Sequence, residues 1–539
     1  MLPYAKTTAF EFVWDDKVVI GPHLDVRSGA DLARLWGTPF DSLLQNPLLH
    51  GVYFRPAVLL SLAWDRASSG DRPAGYHRTN LLWYALGCLF LWLFAWEISG
   101  RPVAATVGAV LFALHPAHPE SVAFILGRTD VICGAFLFAS LWAAARMSRR
   151  VHRASLKLLP AALLLLPALY SKEVALFVSP LLVLVLWVRE PRLRPGGVLL
   201  AALPVLAANA IYLASRLSVL TPRVVPEVSP VEGGWIQVLT SVAVVARYLP
   251  LLFAPVSLSA RHEVAPTVAP DATFAAGLAA LVAIGMGLFV SIRRRSVWAI
   301  PLFLFASALL PLCYVRLISG ALVAERFLFI PSGALTLALA LLPVAGGMIL
   351  GTAAAAACLW LLPPRVAIWK DDRTLYTSML RDSPNSAYAH SILGGHYYEA
   401  RDLERAIVHH KRAFELKPEF SESLLNLASA EEEAGHADSA FAHVRLLLKL
   451  RPRYAAVWYA LGNLHVRADQ PDSAIAAYER AIRVQPDFPH AENNLGVVLE
   501  RMGRTEDAIA HYRRATKLMP GYRDAANNLA RLEAARSVK

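Results

Sequence analysis

Residues 455–488 read AAVWYALGNLHVRADQPDSAIAAYERAIRVQPDF. Large apolar residues (Trp458, Leu461, Tyr478) recur at helical spacing, small ones stand at Gly462, Ala474 and Ala481, and Pro486 closes the unit. The pattern predicts two short helices: the small residues let them approach closely, and the proline ends the second. The proline recurs every 34 residues, at Pro384, Pro418, Pro452, Pro486 and Pro520. With it at position 32, four units align, 387–420, 421–454, 455–488 and 489–522. The fourth carries Leu495, Gly496, Ala508, Tyr512 and Ala515, and the first carries Leu393, Gly394, Tyr397, Ala406 and Ala413. The second is weaker, with Leu427, Ala428 and Ala440. Residues 523–539 follow, with a helix over 523–536 that caps the stack.

This period resembles the tetratricopeptide repeat, an α-solenoid with a concave binding surface. Asn426, Asn494 and Asn528 share its sixth position, where the other two units have Ile392 and Ala460. Such a row can hydrogen-bond an extended peptide, and it can equally brace turns and inter-helix contacts. The three asparagines are candidate peptide-binding residues.

The chain before Pro384 is different. The whole sequence is 56% hydrophobic, with mean hydropathy +0.43 and net charge +12. Residues 371–539 hold 23 basic and 23 acidic residues and residues 1–370 hold 30 and 18, so the excess lies wholly in the apolar part. Membrane loops explain that bias, as does contact with lipid-linked phosphates. A nucleic-acid partner is excluded, because the excess is not clustered on a soluble domain. Cys88, Cys133, Cys313 and Cys358 lie in apolar runs, with neither zinc nor disulfide spacing.

Apolar stretches predict spans near 79–98, 102–115, 131–147, 157–170, 174–188, 197–215, 236–254, 273–292, 297–315, 327–343 and 344–362. Three basic clusters orient them: Arg149, Arg150, His152, Arg153 and Lys157; Arg189, Arg192 and Arg194; and Arg293–Arg295. All three become cytoplasmic if 236–254, with Arg247, Pro250 and Pro255, is re-entrant or interfacial. Residues 1–78, 116–130, 171–173, 216–272, 316–326 and everything after 363 then face the other side. Pro363–Pro364 is expected to end the last span, Trp369 to anchor at the interface, and 371–382 to form a short helix. Because 1–78 falls outside with no span before it, an N-terminal span is expected to be missing from this chain.

Polar sets collect on that outer face: Trp14-Asp15-Asp16, His115-Pro116-Ala117-His118-Pro119-Glu120, Gly127-Arg128-Thr129-Asp130, Ser171-Lys172-Glu173 and Glu325-Arg326. Ionisable groups at membrane depth are costly and usually functional. Asp15 or Asp16 suits a general base on a hydroxyl, with a slight preference for Asp16. The pair alternatively suits a divalent cation. Arg128, Lys172 and Arg326 suit neutralisation of a phosphate. His115 and His118 are candidate metal ligands, although the intervening proline disfavours a helical pair; whether a metal is used stays open.

The order of these motifs, together with Tyr53-Phe54-Arg55-Pro56, His77-Arg78-Thr79-Asn80-Leu81, Tyr170-Ser171-Lys172-Glu173, Ala324 through Pro331 and the C-terminal repeats, resembles the transmembrane and tetratricopeptide-repeat O-mannosyltransferases, of the GT-C superfamily. The resemblance implies an all-α polytopic membrane domain followed by a solenoid. It divides the chain into a first loop at 1–78, a membrane domain at 79–362, a linker at 363–386, repeats at 387–522 and a cap at 523–539. The implied reaction moves a mannose-like sugar, with inversion, from a polyprenyl phosphate to a protein Ser/Thr hydroxyl. It gives Asp15 and Asp16 the base's role, Arg128, Lys172 and Arg326 the donor phosphate, and Arg55, His115, His118, Glu120, Asp130, Glu173 and Glu325 supporting roles. The site and repeats would face the periplasm from a bacterial inner membrane, with the repeats recruiting the acceptor. The competing readings are a membrane-anchored scaffold for envelope complexes, which needs no polar sites, and a lipid-linked-sugar transporter, which would more often show internal repeats. No nucleotide-sugar GxGxxG pattern is present.

Overall fold

The computed structural model describes residues 2–43, 53–148, 150–151, 153, 156–220, 234–262, 264–309, 323–418 and 421–537. Arg149, His152, Cys313, residues 310–315 of one expected span and 316–322 of the loop after it lie outside the described residues. The regular secondary structure of the described residues is helical, apart from one isolated antiparallel bridge between His262 and Val323. The chain divides into two units, Met1–Ser383 and Pro384–Lys539.

Among the described residues of the first unit, six helices are long and apolar enough to cross a membrane: Pro73–Ser99, Ile125–Ser148, Pro195–Val219, Gly234–Phe253, Ala272–Arg293 and Val344–Ala367. Shorter apolar helices cover Pro102–Leu114, Leu159–Leu169, Val174–Arg189 and Ala299–Leu309. Ile125–Ser148 is the central helix, packed by Pro73–Ser99 and Leu159–Leu169. Small residues allow the close crossings. The Thr336 hydroxyl donates to the Gly108 carbonyl at 2.9 Å, and a Cβ on Gly108 would come within 2.7 Å of the Thr336 carbonyl oxygen. The last long helix continues through Pro363 and Pro364 to Ala367 rather than stopping there. Trp369 is fully buried, stacked on both Trp14 and Phe124, and so is not an interfacial anchor.

The bundle has two distinct ends. At one, Arg189 donates to the Glu97 carbonyl and carboxylate, each at 2.7 Å, and Arg146 reaches the same carboxylate at 3.0 Å. Lys157 pairs with Glu190 at 3.8 Å, and Arg295 donates to the Pro191 carbonyl at 2.5 Å over the Trp187 ring. The basic clusters represented by Lys157, Arg189 and Arg295 therefore meet at one end. Helix Ala272–Arg293 is about 33 Å long at 1.5 Å per residue, so it starts at the opposite end. Near that start, a Cβ on Gly277 would meet the Val242 carbonyl oxygen at 2.0 Å. His115, also at that end, bonds the Leu252 carbonyl at 2.9 Å. Gly234–Phe253 thus meets Gly277 through Val242 and His115 through Leu252, and it packs extensively on Ala272–Arg293.

The second unit is four helix pairs, Ala387–Glu399 with Leu403–Leu416, Ser421–Glu433 with Ala437–Leu450, Ala455–Arg467 with Pro471–Val484, and Pro489–Arg501 with Thr505–Leu518, capped by Arg523–Ser537. The turn inside each pair uses a left-handed residue at the same position: Arg401, Gly435, Asp469 and Gly503. Each pair closes where a small residue meets a larger one. Cβ atoms on Gly394, Gly462 and Gly496 would stand 2.7, 2.4 and 2.8 Å from the rings of His410, Tyr478 and Tyr512. In the second repeat the same two positions hold Ala428 and Val444, both buried in one cluster. Gly462→Ala is expected to destabilise the repeats by about 1–3 kcal/mol through overpacking. Thermal melting of the detergent-solubilised protein should show the loss, and adding Tyr478→Val should restore most of it.

Candidate functional site

Arg128 begins the central helix and is fully buried. Its guanidinium pairs with Asp65 at 2.5 Å and donates to Asn80 Oδ1 at 2.7 Å, to the Tyr76 carbonyl at 2.7 Å, and to the Ser61 carbonyl and hydroxyl, each at 3.2 Å. Asp65 in turn accepts from the Thr79 hydroxyl at 2.6 Å. Every nitrogen of the Arg128 fork is engaged inside the protein. This corrects the phosphate-binding expectation for Arg128: it fastens the first loop's helix Pro56–Ser69 and Pro73–Ser99 to the centre of the bundle.

Asp16 is likewise enclosed. Its carboxylate accepts from the backbone N–H groups of Val13 at 3.4 Å, Ile125 at 3.4 Å and Leu126 at 3.1 Å. Burial pushes this carboxyl well above the ordinary value; the three amides oppose the shift and the neighbouring Asp15 charge adds to it. Asp16 therefore clasps the first loop to residues 125–126, which reverses the preference for it over Asp15. His115 and His118 also have both ring nitrogens engaged. His115 meets the Leu252 carbonyl and the Ala117 N–H, and His118 meets the Tyr84 hydroxyl at 3.0 Å and the Ser332 hydroxyl at 2.9 Å. No group of three or more His, Cys, Asp or Glu side chains able to hold a metal occurs among the described residues.

A second set stands at the same end in a more open environment. Asp15 is only partly buried, and its carboxyl is raised above its ordinary value by burial, against the opposing pull of Arg326. Arg326 presents its N–H to Glu120 at 2.9 Å and its guanidinium to the same carboxylate at 3.5 Å. It is 26% exposed and lies over the Phe327 ring at 5.4 Å. Lys172 lies over the same ring at 5.1 Å and pairs with Asp130. Arg55 pairs with Glu173 at 2.9 Å and stacks over Tyr53 at 4.2 Å, and Arg216 reaches Glu173 at 3.4 Å. Burial would raise the Glu173 carboxyl, but Arg55 and Arg216 hold it below its ordinary value. Phe327 thus joins the Arg326–Glu120 pair to the Lys172–Asp130 pair, and the folded chain gathers Asp15, Arg55, Glu120, Asp130, Lys172, Glu173 and Arg326. Glu325 stands behind this set, paired with Arg365 at 2.8 Å and 3.5 Å from His262.

Such a site offers one half-open carboxylate in the field of Arg326, with Lys172 and Arg55 at the same end, each cation held by its own acid. That suits an anionic ligand placed beside a proton acceptor. The sequence reading missed Tyr53, Phe327, Arg216 and Asp65. Asp65 carried a usable signal, as an acid within a largely apolar helix; the others stand out only once the loops are brought together.

Comparisons with known proteins show what parts of this chain resemble. A tetratricopeptide-repeat family model matches residues 459–523. Protein O-mannosyl-transferase Tmtc1 of Drosophila melanogaster is 32% identical over 179 residues, which is 32% of this chain and 20% of that protein. Protein O-mannosyl-transferase TMTC4 of Mus musculus is 31% identical over 155 residues, covering 26% of this chain and 21% of that protein. This chain is similar to these proteins over a third of its own length or less. The matches span about a fifth of the length of these relatives. Among solved structures, MamA is 25% identical over 27% of this chain and 85% of its own, with a TM-score of 0.25.

In the repeats, the asparagine row is partly committed internally. Asn494 Nδ2 donates to the Tyr459 hydroxyl at 3.0 Å and to Asn463 Oδ1 at 3.1 Å, and its own Oδ1 accepts from Asn493 at 3.2 Å. Asn528 donates to Asn493 Oδ1 at 3.2 Å. Asn494 and Asn528 therefore belong to one ladder across the third and fourth units and the capping helix, filled in by Asn463 and Asn493, which are not at the sixth position. Asn426 is exposed and stands apart from that ladder.

Proposed function

We propose that this chain is an integral membrane glycosyltransferase of the GT-C type. It moves a mannose-like sugar from a polyprenyl-phosphate donor to Ser/Thr hydroxyls of a protein acceptor, on the periplasmic side of a bacterial inner membrane, with the repeats recruiting the acceptor. The observation that carries this reading is the half-open Asp15 carboxylate set against Arg326, with Lys172 and Arg55 at the same bundle end. Asp15 takes the proton of the acceptor hydroxyl while that oxygen's lone pair forms the new bond to the sugar C1. The C1–O bond to phosphate breaks on the opposite side, and its electron pair leaves with the polyprenyl phosphate. Arg326, Lys172 and Arg55 neutralise that leaving group. Arg128, Asp16, His115 and His118 hold the frame. The meeting of the basic clusters at the opposite end supports a cytoplasmic placement for that end and a periplasmic one for the site.

The test is transfer of label from radiolabelled polyprenyl-phosphate mannose to protein in membranes containing the chain. Other lipid-linked sugars follow if mannose is silent, and silence with all of them overturns the reading. The pH profile is a second check. Because the Asp15 carboxyl is raised, it takes up a proton at a higher pH than an ordinary carboxylate. Transfer is expected to fall as pH drops through that raised value and to recover above it, a limb measurable from initial rates in detergent.

A further inference from the structure

Helix Asp372–Asp382 is capped by Asp371, whose carboxylate accepts the Thr374 N–H at 2.8 Å. The next acid, Asp372, turns to the first loop. Its Oδ1 accepts the Trp14 N–H at 2.8 Å, and its Oδ2 meets the Lys17 ammonium at 2.5 Å. Those two residues flank Asp15 and Asp16 on either side. The same segment makes two more ties: the Glu11 N–H donates to the Lys370 carbonyl at 3.0 Å, and the Trp14 ring stacks on Trp369 with centroids 6.4 Å apart. Phe124 completes the aromatic group, 5.8 Å from Trp14 and 5.5 Å from Trp369.

Trp14 has φ +55°, in the left-handed region where a bulky non-glycine residue is an outlier. Such a conformation persists when its surroundings over-determine it. Here the surroundings are the Asp372 carboxylate on its N–H and the two rings against its side chain. The turn they hold sends the two aspartates to different places: Asp16 onto the amides of residues 125–126, Asp15 into the field of Arg326.

We propose that Asp372 is a positioning residue for glycosyl transfer, holding the strained Trp14 turn that aims the Asp15 carboxylate. The short stretch 369–372 between the last long helix and the repeats is then part of the catalytic frame rather than a passive linker. This rests on the transferase reading above, and the experiment separates the two.

Full-length Asp372→Ala, Asp372→Asn and Lys17→Met proteins are compared with wild type, using the lipid-linked sugar that labels wild type. Asp372→Ala should lower kcat about 100-fold with the donor KM within about twofold, as expected for misplacement of a reacting group. Asp372→Asn keeps an acceptor for the Trp14 N–H and should recover kcat to within about tenfold of wild type, and Lys17→Met should match it. A merely structural role would lower accumulation and melting temperature instead, with no selective loss of kcat and no rescue by Asn. Hydrogen exchange supplies a readout free of activity: residues 11–20 should exchange faster in Asp372→Ala while Arg128–Ser148 is unchanged. Wild-type kcat in Asp372→Ala, or unchanged exchange over residues 11–20, overturns the proposal. If wild type transfers no sugar from any donor, the transferase reading fails, and the exchange result alone decides whether Asp372 holds the turn.

Discussion

Asp15→Asn should reduce transfer by about 10²–10⁴-fold, the usual contribution of a positioned general base. Asn keeps the size of the side chain and removes its ability to accept the hydroxyl proton. Asp15 makes no buried clasp of the kind seen at Asp16, so the variant should accumulate and melt as wild type does. Asp16→Asn should behave differently. Its amide can still accept from backbone N–H groups through one oxygen, but its NH₂ would face the Val13, Ile125 and Leu126 amides in part, so the loss should fall on folding as well as on rate. Initial rates set against thermal midpoints in detergent separate the two cases. A wild-type rate in Asp15→Asn would remove the base from this position.

The second large effect is on the fold. Arg128→Met removes one partner of a fully buried ion pair and leaves Asp65 without its guanidinium. Losing one member of such a pair costs about 3–5 kcal/mol, a large share of the roughly 5–15 kcal/mol that holds a typical domain together. The Asn80 side chain and the Tyr76 carbonyl lose their donors as well. The protein is expected to fail to accumulate, or to elute as aggregate on size exclusion. The double variant Arg128→Met/Asp65→Leu should recover part of the loss, because the isolated charge has gone too. A donor-phosphate ligand would give the opposite pattern: a stable Arg128→Met protein with a raised donor KM, and no benefit from changing Asp65.

The contrast between Asp15 and Arg128 shows what was readable before the fold was known. Local spacing carried the repeats completely, because a 34-residue period fixes which positions are small, which are large and where each pair ends. The loops that carry Asp15, Glu120, Asp130, Lys172, Glu173 and Arg326 come to one bundle end. Spacing does not tell an open side chain from an enclosed one. An arginine beside a threonine and an aspartate looks the same whether its fork faces a phosphate or a buried acid 63 positions earlier. Likewise, two of the three amides that close around Asp16 lie more than 100 residues away.

The fit of small against large inside each helix pair restricts the order in which these repeats can change. The first, third and fourth units place glycine beneath a ring, whereas the second places alanine against valine. A unit can pass from the first arrangement to the second only if the ring shrinks before the glycine grows. The reverse order passes through an overpacked intermediate. The same substitution is therefore harmless or damaging according to what preceded it, and the four units carry separate histories although they share one period.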